Sequence, residues 1–292
     1  MSDITHERPS ETSTSSGTEP MRHLEFQPHR RWYRRPDVVV PVALMALGLS
    51  ILAMTGRAGR SYRSRMTADG DTNFDLDYFF HLMPQMLQGL YVTARATVLA
   101  FLISIVLGLL FALARRSHVR AVSWPAVAVI EFIRSTPILV QFFFLQALVR
   151  ATPVLDLNAV EVLLIGLGVH YATYASEAYR AGIDSVPVGQ WEAATALNLG
   201  PWQTWTKVII PQAVPNVLPT LGNYLVAAFK DAPIADAVLS VPGILFFANT
   251  IRSNDFRPVE PYLLIGVGFL LVSLPAAWLV RRLERRIAYE RT

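Results

Sequence analysis

Seven polar side chains lie within or beside the apolar stretches of the chain, and their types suit them to bind a solute. Burying a polar group in a membrane is costly without a partner, so each is a candidate for a functional contact. A zwitterionic solute needs an anionic and a cationic partner, which Lys230 and Asp231 could supply; equally, these two could form an ion pair that holds a helix end. Asn and His can also simply bond neighbouring helices. The candidates are His170, Tyr174, Glu177, Asn216, Asn223, Lys230 and Asp231.

No motif for catalysis or ATP binding accompanies these residues. The sequence has no G-x-x-x-x-G-K-S/T phosphate-binding loop, no H-E-x-x-H helix and no G-x-S-x-G elbow. It has no cysteine, which excludes disulfides, cysteine-based metal sites and thiol nucleophiles. We therefore predict that the chain is not an enzyme and holds no catalytic residue, metal or cofactor. If it moves a solute uphill, the energy must come from a partner chain.

The composition is that of a membrane protein. Hydrophobic residues make up 52% of the 292 residues and charged residues only 16%, against about 25% charged in ordinary soluble domains. The net charge of +4 is carried almost entirely by Arg. Arg marks the cytoplasmic ends of membrane spans, so we predict contact with a lipid bilayer and none with nucleic acid.

The elements that position the polar residues are six predicted membrane-spanning helices. Helices satisfy their own backbone in lipid, and about 20 apolar residues cross the bilayer. With six spans, both termini and all the Arg-rich span ends lie in the cytoplasm. The apolar segment 232–248 would break this parity, so it is expected to be an external or re-entrant helix. The spans are predicted at 37–56, 86–114, 135–149, 159–178, 212–229 and 259–280.

These spans divide the sequence into five parts. A disordered basic cytoplasmic tail precedes a first span, an external loop, the main transmembrane domain and a short cytoplasmic tail. Their predicted ranges are 1–36, 37–56, 57–79, 80–285 and 286–292.

The segment 187–211 is the least membrane-like stretch between two spans, and its residues predict two short helices joined by a turn. Glu192 places negative charge in the first turn of the first helix, where the helix dipole favours it. Asn198 tolerates a positive φ better than any residue except Gly, so it can end that helix. Gly200 and the following proline open the second helix, and Pro211 lies beyond its end.

This segment resembles the EAA loop of ABC importer permeases through Glu192-Ala193-Ala194 and Val208–Pro211. Other stretches are similar to the polar amino-acid permeases of that class: Glu131–Pro137, Tyr179–Ile183, Pro211–Ala213, Pro219–Asn223 and Lys230–Asp231. The resemblance covers roughly residues 80–285 and departs at Asn198, where that family usually has Gly. It implies that the loop is a cytoplasmic coupling helix that docks on an ATPase subunit. The implied coupling residues are Gln190, Glu192, Ala193, Ala194, Asn198, Gly200 and Pro211.

The resemblance implies an all-α, multi-pass permease of the bacterial cytoplasmic (inner) membrane, with the five-helix family core and one extra N-terminal span. It implies as partners an ABC ATPase that binds ATP and Mg, a second permease copy or sister permease, and an external solute-binding protein. Residues 170–184 look most like ectoine/hydroxyectoine importers, which favours amino-acid-like compatible solutes. The alternative is a stand-alone secondary transporter for a small polar solute, although we see no internal repeat of the required length.

Overall fold

The computed structural model describes residues 74–152 and 154–289, and this part of the chain is entirely helical. The predictions for residues 1–73, including the extra first span, lie outside the described residues. So does the end of the C-terminal tail. The helices are α1 Leu76–Arg115, α2 Arg120–Arg134, α3 Ile138–Ala151, α4 Ala159–Asp184, α5 Val188–Ala196, α6 Pro201–Leu239, α7 Ile244–Asp255 and α8 Val259–Tyr289.

The apolar helices confirm the predicted all-helical membrane fold. α1, α4 and α8 are each long and apolar enough to cross a membrane. Two further spans exist if each bent pair is one span: α2 and α3 meet at 111°, and α6 and α7 at 49°. The described part therefore holds three to five candidate spans, where the sequence predicted five.

The core forms where α1 and α4 pack closely, with α6 against both. Small buried residues recur every fourth position on the inner face of α1, among them Ala100, Ser104 and Gly108. A Cβ atom added at Gly108 would lie only 2.6 Å from the Cβ atom of Ala175 on α4. Gly108 is therefore required for this approach, as is usual where membrane helices pack tightly.

The ends of α1 and α4 are fixed by local capping. The Tyr78 backbone N–H donates to Asp75 Oδ1 at 3.0 Å, and this bond holds the pKa of Asp75 below its ordinary value. At the start of α4, Asn158 and Glu161 form a reciprocal capping box. These caps satisfy backbone donors that a helix start leaves unpaired.

α6 differs most from the sequence prediction. The second loop helix was expected to end before Pro211, and a separate span was expected at 212–229. Instead, one helix runs from Pro201 to Leu239 and contains a π-helical stretch at Thr204–Ile209. A proline ring crowds the carbonyl four residues earlier, and for Pro211 that carbonyl lies in this stretch, whose wider turns make room for the ring.

The segment 232–248, predicted as one external or re-entrant helix, is divided in the structure: residues 232–239 continue α6, and residues 244–248 begin α7. The 49° bend between the two helices fits either a broken span or a re-entrant loop. α6 ends at Ser240, which has a left-handed φ of 59°, and α7 begins after Gly243. Two predicted boundaries also move slightly. α1 begins at Leu76, inside the predicted external loop, and α8 continues to Tyr289, past the predicted domain end at 285.

Candidate functional site

One face of α4 carries aromatic and polar side chains that contact α6. The Tyr171 hydroxyl donates to Asp231 Oδ2 at 2.6 Å. The ring of Tyr174 lies 5.2 Å from that of His170, 5.8 Å from that of Tyr171 and 5.6 Å from that of Tyr224 on α6. We call these four rings, of His170, Tyr171, Tyr174 and Tyr224, the tyrosine cluster.

His170 is held in one orientation by Gln141 at the start of α3. The Gln141 side-chain nitrogen donates to the carbonyl oxygens of Ile133 at 2.7 Å and Thr136 at 3.0 Å. Its oxygen therefore faces His170 as an acceptor, at 3.0 Å from Nδ1. Neutral His170 consequently carries its proton on Nδ1 and leaves Nε2 as an acceptor. The same bonds tie the bend between α2 and α3 to α4.

Arg134, the last residue of α2, contacts the tyrosine cluster at Tyr174. Asp231 of α6 contacts the cluster at Tyr171, about one turn earlier on α4. The guanidinium carbon of Arg134 lies 5.5 Å from the centre of the Tyr174 ring, which allows a cation–π contact. Its Nη1 atom lies 3.4 Å from Glu177 Oε1. Sequence reasoning did not identify this contact. The only signal was an Arg directly before the Ser-Thr-Pro turn that ends α2.

Glu177 is surrounded by arginines rather than open to a solute. Besides Arg134, it forms ion pairs with Arg115 at the end of α1 and with Arg180 at 2.9 Å. We call Glu177 and these three arginines the Glu177 cluster. Asp184, about two turns further along α4, pairs with Arg180 at 3.0 Å and with Arg116 at 2.9 Å.

The seven solute candidates therefore separate into two groups. The structure brings His170, Tyr174, Glu177 and Asp231 together on the inner side of α4. The other three, all on α6, lie elsewhere: Asn216 donates to Ser185 Oγ at 2.6 Å, and Asn223 to Glu284 Oε1 at 3.4 Å. Lys230 is exposed, whereas its neighbour Asp231 turns inward to Tyr171. The suggestion that Lys230 and Asp231 act as a pair finds no support within the described residues.

The predicted loop at 187–211 contains a short helix that ends at the expected residue. Asn198 has a φ of 53°, which confirms the predicted left-handed turn. The Leu199 N–H donates to the Ala194 carbonyl and the Asn198 N–H to the Thr195 carbonyl, a Schellman pattern that satisfies the end of α5. Gly200 then precedes the first turn of α6.

The loop presents one face to the chain itself and another outward. Ala194 is only 2% exposed, so it packs inside this chain and cannot be on the predicted contact face. Gln190 bonds Gln212 at 3.1 Å, which ties α5 to α6, and Pro211 lies within α6. Glu192 and Ala193 are exposed.

Three large apolar side chains in or beside this loop are also exposed, and sequence reasoning missed them. Val188, Leu197 and Trp202 are 71%, 73% and 79% exposed. Exposed apolar side chains that lie together favour an interaction surface, whereas isolated ones are ordinary. The sequence alone contained no clear signal, since the segment 187–211 contains several other apolar residues that the fold buries or half-buries, such as Ile209 and Trp191.

Apolar spanning helices around a polar, aromatic interior, with an outward-facing loop helix, define a membrane subunit of a transport system. A family model described as "Binding-protein-dependent transport system inner membrane component" matches residues 104–289. A probable amino-acid ABC transporter permease protein of Sinorhizobium fredii is 40% identical over 209 residues, covering 72% of this chain and 90% of that protein. The glutamate/aspartate import permease protein GltK of Escherichia coli is 34% identical over 223 residues, covering 74% and 99%.

Solved structures agree. A chain in the crystal structure of an amino acid ABC transporter with histidines matches with a TM-score of 0.68 at 31% identity, covering 73% of this chain and 99% of that one. The inward-facing MetNI methionine ABC transporter matches with a TM-score of 0.55 at 18% identity, a likeness of fold alone. The chain belongs to the family of binding-protein-dependent transport system inner membrane components. It is a permease subunit and not an ATPase, because ATP hydrolysis in such importers occurs in a partner subunit.

Proposed function

We propose that this permease carries zwitterionic amino acids, or amino-acid-like compatible solutes such as ectoine, into the cell along the tyrosine cluster. The observation that carries the proposal is that opposite charges contact the cluster from two sides. Asp231 accepts from Tyr171 at 2.6 Å, and the Arg134 guanidinium lies 5.5 Å from the Tyr174 ring. A solute ammonium group would bind Asp231 and its carboxylate would bind Arg134, with aromatic faces between them. The names of the relatives agree with amino acids as the solute class.

In this proposal, α5 and its surroundings form the coupling surface for an ABC ATPase. The exposed Glu192 and Ala193 supply a charged contact and a close approach, and Val188, Leu197 and Trp202 supply apolar area. A few side chains near the centre of an interface usually carry most of its binding energy, and Trp is prominent among them. The loop then faces the cytoplasm, together with both chain termini.

The complete transporter would pair this chain with a second copy or a sister permease. The exposed Lys230 supports such a pairing, because a charged side chain on an apolar helix is costly against lipid and needs water or protein beside it. An external binding protein would deliver the solute. ATP and Mg on the ATPase pair would drive alternating access by moving α5.

Reconstitution with the ATPase and binding protein in proteoliposomes tests this function. The wild-type complex should transport at least one of four radiolabelled solutes: L-glutamate, L-glutamine, L-histidine or ectoine. This uptake should occur only when ATP is supplied on the side of the membrane where the ATPase is bound. Glu192→Arg reverses the charge at the coupling surface and should abolish ATP-driven uptake while the chain still inserts. Asp156→Arg, a charge reversal at an exposed site between α3 and α4, should leave uptake within about twofold, as surface changes usually do.

Normal uptake by Glu192→Arg would rule out the coupling surface. Uptake without ATP or an ATPase subunit would instead favour a self-sufficient carrier. Accumulation of ectoine but not of the three amino acids would select the compatible-solute branch of the proposal.

A further inference from the structure

Glu177 draws the ends of α1 and α2 onto α4. Arg115 from α1, Arg134 from α2 and Arg180 from α4 itself all pair with it. Its side chain is only 17% exposed, so these contacts are screened less than those of a surface pair. Losing one partner of such a buried group leaves the others uncompensated.

The charge balance of the Glu177 cluster depends on the carboxylate of Glu177. Three guanidinium groups share Glu177, and the second carboxylate nearby, Asp184, is engaged by Arg180 and Arg116. Without the negative charge at 177, Arg115 and Arg134 would face each other with no anion between them. Like charges at this separation repel, so Arg134, the more exposed of the two at 35% against 19%, would be the one to move.

Arg134 contacts both Glu177 and the tyrosine cluster, and only the tyrosine cluster belongs to the proposed solute route. On one side is Glu177 at 3.4 Å, and on the other is the Tyr174 ring at 5.5 Å. Glu177 lies one turn beyond Tyr174 along α4, between the tyrosine cluster and the start of α5. Arg134, when it is held by Glu177, therefore lies across the end of the tyrosine cluster that faces α5.

We infer that Glu177 is a positioning residue that holds Arg134 across the inner end of the tyrosine cluster and so closes the route to solute until α5 moves. The inference rests on the proposed function. It gives Glu177 a role different from solute contact. It also assigns Arg134 two uses: it closes the route while bound to Glu177, and it meets the solute carboxylate when released.

The path from the coupling helix to this contact is short and covalent. Glu177 and Asp184 lie on the last turns of α4, and only three residues separate the end of that helix from the start of α5. Ser185, in this connection, accepts from Asn216 of α6 at 2.6 Å. A displacement of α5 must therefore move the end of α4, and with it Glu177, relative to Arg134 on α2.

The test is solute leakage without ATP. Proteoliposomes that contain the assembled transporter are loaded with whichever of the four radiolabelled solutes the wild type accumulates, and efflux is timed in the absence of ATP. We expect Glu177→Gln to release the solute about tenfold faster than wild type, as when a barrier falls by about 1.4 kcal/mol. Asp184→Asn is the matched control, because it removes a carboxylate from the same helix that pairs with Arg180 and Arg116 but not with Arg134.

Three further variants separate this inference from a merely structural role for Glu177, and the inference predicts the following results. Arg134→Gln should leak as Glu177→Gln does, and the double variant should leak no faster than either single variant, since both remove one contact. Glu177→Asp keeps the charge and should restore most of the closure. Co-loaded sucrose should stay inside in every case, which separates a selective leak from a damaged membrane.

Equal efflux from Glu177→Gln, Asp184→Asn and wild-type vesicles would overturn the inference. So would an Arg134→Gln variant that releases the solute no faster than wild type. If Glu177→Gln does not assemble, Arg134→Gln and Glu177→Asp decide the question by the same assay. Failure of the proposed function has its own signature, because the wild type would then accumulate none of the four solutes with ATP.

Discussion

Replacement of Gly243 by Ala provides a sharp test of the packing at the break between α6 and α7. Asp236 is completely buried there, and Thr93 of α1 donates to its Oδ2 at 2.7 Å. The first N–H of α7, on Ile244, donates in turn to Thr93 Oγ1 at 3.0 Å. A Cβ atom added at Gly243 would overlap the carboxylate of Asp236. The carboxylate would have to move, and the bond from Thr93 would be lost.

The expected cost follows from these contacts. Overpacking a tight site costs about 1–3 kcal/mol, and leaving a buried polar group without its hydrogen bond costs about 1–3 kcal/mol. We expect Gly243→Ala to destabilise the protein by about 3 kcal/mol, since part of the overlap relaxes as the bond breaks. For a domain of this size that is about 6–12 °C in the midpoint of thermal unfolding. Gly266→Ala is the control, because nothing lies within 4 Å of its added Cβ atom.

A second substitution tells whether the carboxylate causes the loss. Asp236→Ala removes the group that the new methyl strikes, so the double variant Asp236→Ala, Gly243→Ala should be more stable than the sum of the two single effects allows. Thermal unfolding of the purified variants in one detergent, followed by size-exclusion chromatography, gives the coupling between them. Strictly additive shifts would refute the reasoning, because side chains in contact show interaction energies of about 0.5–3 kcal/mol. So would a Gly243→Ala variant as stable as Gly266→Ala.

Two further outcomes concern the solute route and the coupling turn. Asp231→Asn should raise the KM for uptake by about tenfold or more while Vmax changes less, because the solute ammonium loses its charged partner. An unchanged KM would show that Asp231 does not contact the solute. Asp156→Asn is the control. Asn198→Gly should leave uptake and stability near wild type, whereas Asn198→Val should lower both, because a β-branched residue is strained at a φ of 53°; thermal unfolding and ATP-driven uptake of the two variants check this, and equal behaviour would contradict it.

Local rules were sufficient for the coupling turn. The positive φ at Asn198 follows from the residue type and from Gly200-Pro201 shortly after it, and no distant contact is needed to predict it. The outward face was harder to predict. Ala193 and Ala194 are adjacent in sequence, and only the packing of α5 on the start of α6 decides that Ala194 is the buried one.

The same rules misplaced the ends of α6 because proline has more than one outcome in a helix. Each of Pro211, Pro215 and Pro219 predicts a break. The helix continues through all three, and a π-helical stretch lies just before the first of them. Neighbouring helices in a membrane can satisfy the backbone groups that proline frees, and this compensation depends on tertiary contacts that a single sequence does not reveal.

The site was predictable in part for a related reason. Polar residues within apolar runs identified His170, Tyr174 and Asp231, since the cost of burial alone marks them. Arg134 was not identified, because its partner Glu177 lies on another helix and the pairing exists only once α2 packs beside α4. Lys230 was overvalued because it is next to Asp231 in sequence. On a helix, adjacent residues point about 100° apart, so neighbours in sequence do not share a face.

α4 is the helix best suited to carry movement from the proposed coupling loop to the proposed solute route. Of the three helices that could each span a membrane alone, α1 contains Pro84 and α8 contains Pro275, whereas α4 contains no proline. A helix with an unbroken hydrogen-bond ladder bends little, so a displacement at its end reaches Glu177 and Tyr174 as a rigid shift. α6 lies beside it with four internal prolines and a π-helical stretch, the features at which helices bend. We expect α4 to move with α5 as a rigid helix, whereas α6 bends at its prolines and its π-helical stretch. The distance between Asp231 and Arg134 across the tyrosine cluster would then change.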